Sequence, residues 1–388
     1  MKNNILKIMR PTLTALAAVF VMSACNKKIE DIPVIIPAQS TAKAIADTLS
    51  KIPTDSLFYR VITKSGLAAT LNNKANSFTL FVPDNTAFIN SLPIPTLAFA
   101  TGYINSLSAT NAASLVNYNI VPQKFTSADI PTTFPNLQLP TGLIVDPTNP
   151  LARMTTAVSR RTTYAYDNNI PLTAVDLIAG NGVIHHTAAI VAPPSKFLWD
   201  RINTDADLSI FKAAIQRADS GGVAGATLQA TLAKFGPNFT VFAPNNQALA
   251  NLISALTGGA IPPTAPAAIF IGFLGSNNLT TQMVQGIVVY HIFDGQAGRP
   301  GRAFLVNFPT TPTTYKTLLN SSPIAAAHPG VTISATFGGP LVTTATVKGL
   351  ANATASNILI NPTPGTGSSD QHYINGVLHK IDQVLIPQ

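Results

Sequence analysis

The chain of 388 residues holds a single cysteine, Cys25. Neither an internal disulfide framework nor a thiolate-clustered metal site is possible, since both need several cysteines. Charge is also scarce. Asp, Glu, Lys and Arg make up 10% of the residues, against about a quarter in an ordinary soluble domain. The basic excess is spread along the chain, so the block of charge that marks a nucleic-acid-binding protein is missing. No apolar run reaches the roughly 20 residues of a membrane-spanning helix. Catalytic signatures are missing too: no His-Glu-x-x-His, no Gly-x-Ser-x-Gly and no glycine-rich phosphate loop. Gly365-Thr366-Gly367-Ser368-Ser369-Asp370 superficially resembles a nucleophile loop, but it lacks the strand-to-helix setting that exposes a serine and reads as a turn. No cofactor motif and no metal-ligating pattern is present, and an enzyme is not the expected class. A surface this poor in charge is built of Thr, Ser, Asn, Gln and Ala, which suits hydrogen-bonded contacts such as those with carbohydrate better than electrostatic steering.

What the sequence does contain begins with a targeting segment. Lys2, Lys7 and Arg10 precede the apolar run Leu13 to Met22, and Ser23-Ala24-Cys25 follows. Small residues directly before a lone cysteine resemble a bacterial lipobox, which implies a leader over 1–24, acylation of Cys25, and a Pro-containing tether over 25–39. Loss of the leader removes Lys2, Lys7 and Arg10 and no acid, so the formal charge falls from +8 to +5. Asn26 follows the cysteine where an inner-membrane retention signal has Asp. By resemblance to lipoprotein sorting rules, the expected location is the outer membrane, through a lipid anchor.

The rest of the chain repeats itself. Phe78-Thr79-Leu80-Phe81-Val82-Pro83-Asp84-Asn85-Thr86-Ala87-Phe88 returns as Phe239-Thr240-Val241-Phe242-Ala243-Pro244-Asn245-Asn246-Gln247-Ala248-Leu249. Asn181-Gly182-Val183-Ile184-His185 returns as Asn375-Gly376-Val377-Leu378-His379. A spacing of roughly 160–195 residues is too long for a solenoid unit and makes each copy a whole domain. The copies are expected over 40–194 and 196–388, joined at Pro193-Pro194-Ser195 and close enough to touch. Leu57, Phe58, Val61 and Ile62 share one helical face with a stop at Gly66, and Leu208, Phe211 and Ile215 repeat the stripe. Short strands are expected at 239–243, 331–336 and 342–347, with helix resuming over 247–256. Helices early and strands late give an α+β fold.

These phrases resemble the signature segments of the fasciclin-like domain. The close of the second copy, Asn375 to Pro387, matches that family's Asn-Gly-x-x-His-x-Ile-Asp-x-Val-Leu-x-Pro segment, and Tyr290-His291 matches its Tyr-His landmark. The first copy departs from the pattern, with Tyr118-Asn119 and Thr187-Ala188 at the corresponding places. The resemblance implies two tandem domains, each a β-wedge flanked by helices. It implies a non-catalytic role in adhesion, through an extracellular glycan, matrix or surface-protein partner. The alternative is an accessory subunit of an outer-membrane uptake or assembly complex.

Candidate binding residues are few. Arg160-Arg161-Thr162-Thr163-Tyr164-Ala165-Tyr166 is the only basic-aromatic cluster. Read as one strand, it puts Tyr164 and Tyr166 on one face and Arg161 on the other; tyrosine faces stack on sugars, and Arg forks to an acidic group. The resemblance adds Tyr290 and His291, a pair linked with cell adhesion in the wider family, although the apolar run 288–293 also reads as a core strand. His185 and His186 are adjacent on a strand and point to opposite faces. His185 and His379 recur at equivalent positions, as residues of a fold do. The segments 258–266, 309–314 and 362–370 read as exposed insertions and potential recognition loops.

Overall fold

The computed structural model describes residues 42–276, 279–296 and 298–388. The leader, Cys25 and the tether lie outside the described residues. The described residues belong to one compact unit.

Each copy opens with helices. In Ser56–Ser65 the buried residues are Leu57, Phe58, Val61 and Ile62, and Gly66 ends the helix in the left-handed region at φ 75°. Its counterpart Ser209–Ala218 buries Ile210, Phe211, Ala214, Ile215 and Ala218. The first copy then forms seven strands: β1 (Phe78–Pro83), β2 (Ile120–Val121), β3 (Leu137–Asp146), β4 (Asn149–Arg161), β5 (Tyr164–Asp167), β6 (Ile170–Ala179) and β7 (Gly182–Thr187). They make one sheet in the order β2-β1-β7-β6-β5-β4-β3. The second copy contributes β8 (Phe239–Pro244), β9 (Ile292–Phe293), β10 (Thr313–Tyr315), β11 (Val331–Gly338), β12 (Leu341–Lys348), β13 (Ser356–Asn357), β14 (Gln371–Tyr373) and β15 (Gly376–Ile381). These form two sheets, β14-β15-β8-β9 and β10-β11-β12-β13. The class is α+β, as expected.

The duplication extends to strand register. β1 runs parallel to β7 from Phe78 opposite Gly182 to Pro83 opposite Thr187, and β8 runs parallel to β15 from Phe239 opposite Gly376 to Ile381 opposite Pro244. All six residues of β1 and of β8 are buried, which is why these strands read as continuous apolar runs rather than alternating ones. Helices pack on one side of each parallel pair. In the second copy a separate core lies against the other side, around Phe242, Phe293, Phe308, Val331, Ile333 and Val347.

Two local expectations are corrected. The run 288–293 is not a strand: Thr281–Tyr290 is helical, and only Ile292–Phe293 is extended. Thr280 caps that helix by accepting from the Met283 amide, and Val284 and Val288 form the buried i, i+4 stripe. Tertiary packing of this stripe outweighs the β preference of the Val-Val-Tyr run. Nor is 160–166 one strand. Thr162, at φ 50°, and Thr163 form the turn of a hairpin, so Arg161 pairs across to Tyr164 and lies beside it.

The repeated polar residues bind the elements together in the same way twice. Asn181 accepts from the Ile45 amide at 2.9 Å and donates to Leu71 O; Asn375 accepts from the Leu198 amide at 3.0 Å and donates to Leu232 O. Asn85 accepts from Leu57 N and donates to Pro53 O, and Asn246 does the same with Ile210 and Ala206. Asp84 and Asn245 cap the following helices through Ala87 N and Ala248 N. The hydroxyls of Thr79 and Thr240 donate to Gln123 O and Gly301 O and accept from Phe125 N and Ala303 N. Each satisfies backbone groups at a helix start or a crossing that would otherwise be buried without partners.

The glycines that open β7 and β15 are required by close approach. A Cβ on Gly182 would lie 1.9 Å from Phe78 O, and one on Gly376 would lie 2.3 Å from Phe239 O. In the helix Thr281–Tyr290, a Cβ on Gly286 meets nothing within 4 Å. Gly376→Ala is therefore expected to destabilise by about 1–3 kcal/mol. Gly286→Ala should stabilise by about 0.5–1 kcal/mol. Urea unfolding of the two variants reads both signs, and a neutral Gly376→Ala would contradict the close crossing.

Candidate functional site

The histidines of the repeated phrase are interior. His185 accepts from the Asp176 amide through Nδ1 and donates from Nε2 to Phe125 O at 2.8 Å. His379 accepts from the Asp370 amide and donates to Ala303 O at 3.0 Å. Burial lowers His379 to about 4, so it stays neutral. His186 faces the other way, as alternation requires, and meets Asp55 at 3.0 Å. That hydrogen bond raises it above the ordinary histidine value.

Tyr290 and His291 are both fully buried. The Tyr290 hydroxyl donates to Gly330 O at 2.5 Å and accepts from Leu350 N at 3.0 Å. His291 donates from Nδ1 to Ile287 O and accepts through Nε2 from Leu385 N, and burial lowers it to about 4. The pair thus ties the helix end to the closing segment of the domain. In the first copy Asn119 also reaches its own helix, at Leu115 O, but it donates to Val191 O where His291 accepts. The His→Asn departure therefore reverses the polarity of the bond to the closing segment while keeping the connection.

The Arg-Tyr cluster lies where the two copies meet. Tyr166 is fully buried, and its hydroxyl donates to Pro340 O of the second copy at 2.9 Å. Arg161 donates to Gly339 O at 2.8 Å, and its guanidinium lies 3.5 Å from the centre of the Phe337 ring. Tyr164 remains 37% exposed, with the Arg161 guanidinium 5.9 Å from its ring centre. Of the predicted cluster, the structure brings Arg161 and Tyr164 together on the surface and takes Tyr166 into the junction. Asn136 and Asn307 tie the same junction through Arg302 O and Ser159 Oγ, and Ala157 and Tyr166 pack on Phe304, Val306 and Val377.

Deeper in the junction is a buried titratable group that motif reading missed. Arg302 is 3% exposed. It donates to Asn238 Oδ1, to Ile374 O and to Nε2 of His372, the last at 2.7 Å. That bond requires an unprotonated His372 Nε2, and burial together with the Arg302 charge holds His372 well below its ordinary value. Burial brings Arg302 down to about 10. Tyr118 from the first copy lies 6.4 Å from the His372 ring and is pushed up by burial, with the charge of Asp167 adding to the effect. Asp167 takes the Thr156 hydroxyl, leaves Oδ2 without a partner, and is raised by burial to about 7. These residues sit far apart in sequence, and no spacing pattern joins them. Among the described residues no three His, Cys, Asp or Glu side chains gather as a metal site would require.

Beside this junction lies an open cleft of about 330 Å³. Its walls are the 132–135 loop, the β4–β5 turn and residues 306–311. The last of these begins the 309–314 segment read from the sequence as an exposed insertion.

Comparison with known proteins is consistent with the duplication. A family model described as the Fasciclin domain matches residues 54–193 and again 206–387. No curated protein matches the chain. Among solved structures, the chain is similar to the FAS1 domain pair from the insect cell adhesion molecule fasciclin I. The identity is 13% and the TM-score 0.34, over 86% of this chain and 97% of that one.

The buried acids and histidines set opposite pH slopes. Asp370 is raised by burial to about 7, so its contribution to stability is complete below the unfolded value near 4 and is lost as pH rises through 7. His291 and His379, held near 4, contribute fully above about 6.5 and lose that contribution as pH falls to 4. Asp370→Asn keeps an oxygen for the Leu305 amide, which Asp370 Oδ1 now accepts at 2.8 Å, and removes the ionisation. Relative to the parent, this variant should gain about 3–4 kcal/mol between pH 4 and pH 7.5. Urea unfolding at both pH values checks this, and parallel curves would show that Asp370 titrates normally.

Proposed function

The chain belongs to the fasciclin domain family, as two domains in tandem, and we propose that it is an adhesion protein held at the outer membrane by a lipid on Cys25 and binding extracellular glycan or matrix ligands. Fasciclin domains are commonly adhesion or binding modules, and a non-catalytic binding role is consistent with that membership. The observation that carries the reading is the use of the motif side chains. The repeated Asn, Thr and His residues, together with Tyr290 and His291, are committed to internal bonds. This leaves a two-domain body whose surface of hydroxyls and amides is the part available to partners. Weak contacts by many copies on one membrane multiply through avidity. The anchor rests on the lone cysteine after Ser23-Ala24, and acyl chains at about 0.8 kcal/mol per buried methylene hold such a protein on a bilayer when two or more are present.

A second reading, an accessory subunit of a membrane complex, is favoured by one stretch of the chain. Residues 235–293 contain no charged side chain, and Leu256, Ile269 and Met283 are exposed on its helices.

Beads carrying the chain from Asn26 onward are expected to capture one class of glycan or matrix protein saturably, with retention rising more steeply than linearly with bead loading. Cells expressing the full chain should incorporate labelled fatty acid, and cells expressing Cys25→Ser should not. Folded beads that capture nothing, with a stoichiometric membrane protein co-purifying with the lipidated chain, would replace adhesion by the accessory-subunit reading.

A further inference from the structure

The cleft between the two domains has a chemistry of its own. Its lining includes Arg160 and Arg161 and contains no acidic residue. Neither arginine makes an ion pair among the described residues, and the Nε of each is buried with no hydrogen-bond partner. Arg161 is held in place by Gly339 O and the Phe337 ring. Arg160 is tied to the protein by its backbone alone, through the bond from its amide to Pro131 O. With the Arg161 guanidinium occupied at Gly339 and Phe337, Arg160 is the cationic residue of the cleft wall whose side chain has neither a hydrogen-bond partner nor a counter-charge, an arrangement that favours an anion able to accept a forked pair of bonds.

The rest of the lining narrows the class. Thr132, Thr133, Thr310 and Thr311 place exposed hydroxyls around the opening. Phe134 is fixed between Phe308 and Tyr315, with ring centres 6.4 and 4.4 Å away. Hydroxyls that both donate and accept match the hydroxyls of a sugar ring, and an aromatic residue in the wall adds apolar surface for its C–H groups. The volume of about 330 Å³ lies at the lower end of small-ligand sites, which run from about 300 to 1,000 Å³. We infer that this cleft binds a carboxylate-bearing sugar, one uronic acid unit of an acidic polysaccharide, with Arg160 forking to the carboxylate. The inference deepens the glycan arm of the adhesion reading and rests on it.

The test is calorimetric titration of the chain from Asn26 onward with tetragalacturonic acid, its methyl ester, sodium sulfate and an aspartate-rich peptide. Tetragalacturonate should bind saturably, and the ester at least tenfold more weakly. Arg160→Ala should lose at least tenfold in affinity while still melting as one cooperative transition, because no hydrogen bond from this side chain to the protein is lost. Arg160→Lys, which keeps the charge without the fork, should recover part of the affinity. Sulfate or the peptide binding as tightly as the uronate would overturn the sugar assignment. Uronate binding untouched by Arg160→Ala would overturn the cleft and leave the adhesion reading standing. Absence of uronate binding, with capture of another glycan or matrix protein on beads, would do the same. Absence of both would overturn the two together.

Discussion

Each domain depends on a buried asparagine that serves two distant backbone groups at once. Asn181 and Asn375 stand at the turn into the last central strand, where the chain passes so close to its parallel neighbour that only glycine fits next in line. From there each carboxamide accepts from the amide that begins a short helix, Ile45–Leu49 or Leu198–Thr204, and donates to a carbonyl near the end of another, Ala68–Asn72 or Leu228–Leu232. Buried polar backbone left without partners costs about 1–3 kcal/mol per group. Placing the asparagine elsewhere would therefore expose several unmet groups together. The threonine, histidine and second asparagine of the same phrases extend this logic along the parallel pair, so the first helices, the central strands and the crossing loops are held by one connected set of bonds.

The two domains are then joined by a second set that does not repeat. Tyr166, Asn136 and Arg161 reach from the first domain to carbonyls and side chains of the second, while Arg302 sits buried beneath them with a neutral His372 as one of its acceptors. Because these contacts use side chains unique to each copy, the duplicated fold becomes an asymmetric pair. The cleft beside the junction follows from that asymmetry. Its walls come from the 132–135 loop and the β4–β5 turn of one domain and the 306–311 segment of the other, and neither domain contains it alone.

Much of the architecture was legible in local patterns. The helix stripe at 57, 58, 61 and 62, the Gly66 stop, the buried strand at 239–243 and the strands from 331 and 342 all appear near their expected places, because apolar periodicity and turn residues report burial directly. The opposite directions of His185 and His186 follow from strand alternation in the same way. Local pattern failed at 288–293, where a β-branched run lies in a helix because its i, i+4 stripe meets the core. It failed again at 160–166, where two threonines turn a strand back on itself and bring Arg161 beside Tyr164. In both places a long-range contact decided between two locally acceptable conformations.

The sequence by itself determined the tandem duplication, the α+β class of each copy and the family to which both belong. Those properties rest on residue identities repeated in order, which survive without knowledge of contacts. Only the tertiary structure decided that Tyr166, Tyr290 and His291 are interior, that Arg302, His372, Tyr118 and Asp167 share one buried junction, and that Arg160 is part of the wall of an open cleft. Such facts depend on which residues distant in sequence meet. Burial and unmet hydrogen-bond donors are properties of that meeting, and no spacing along the chain encodes them.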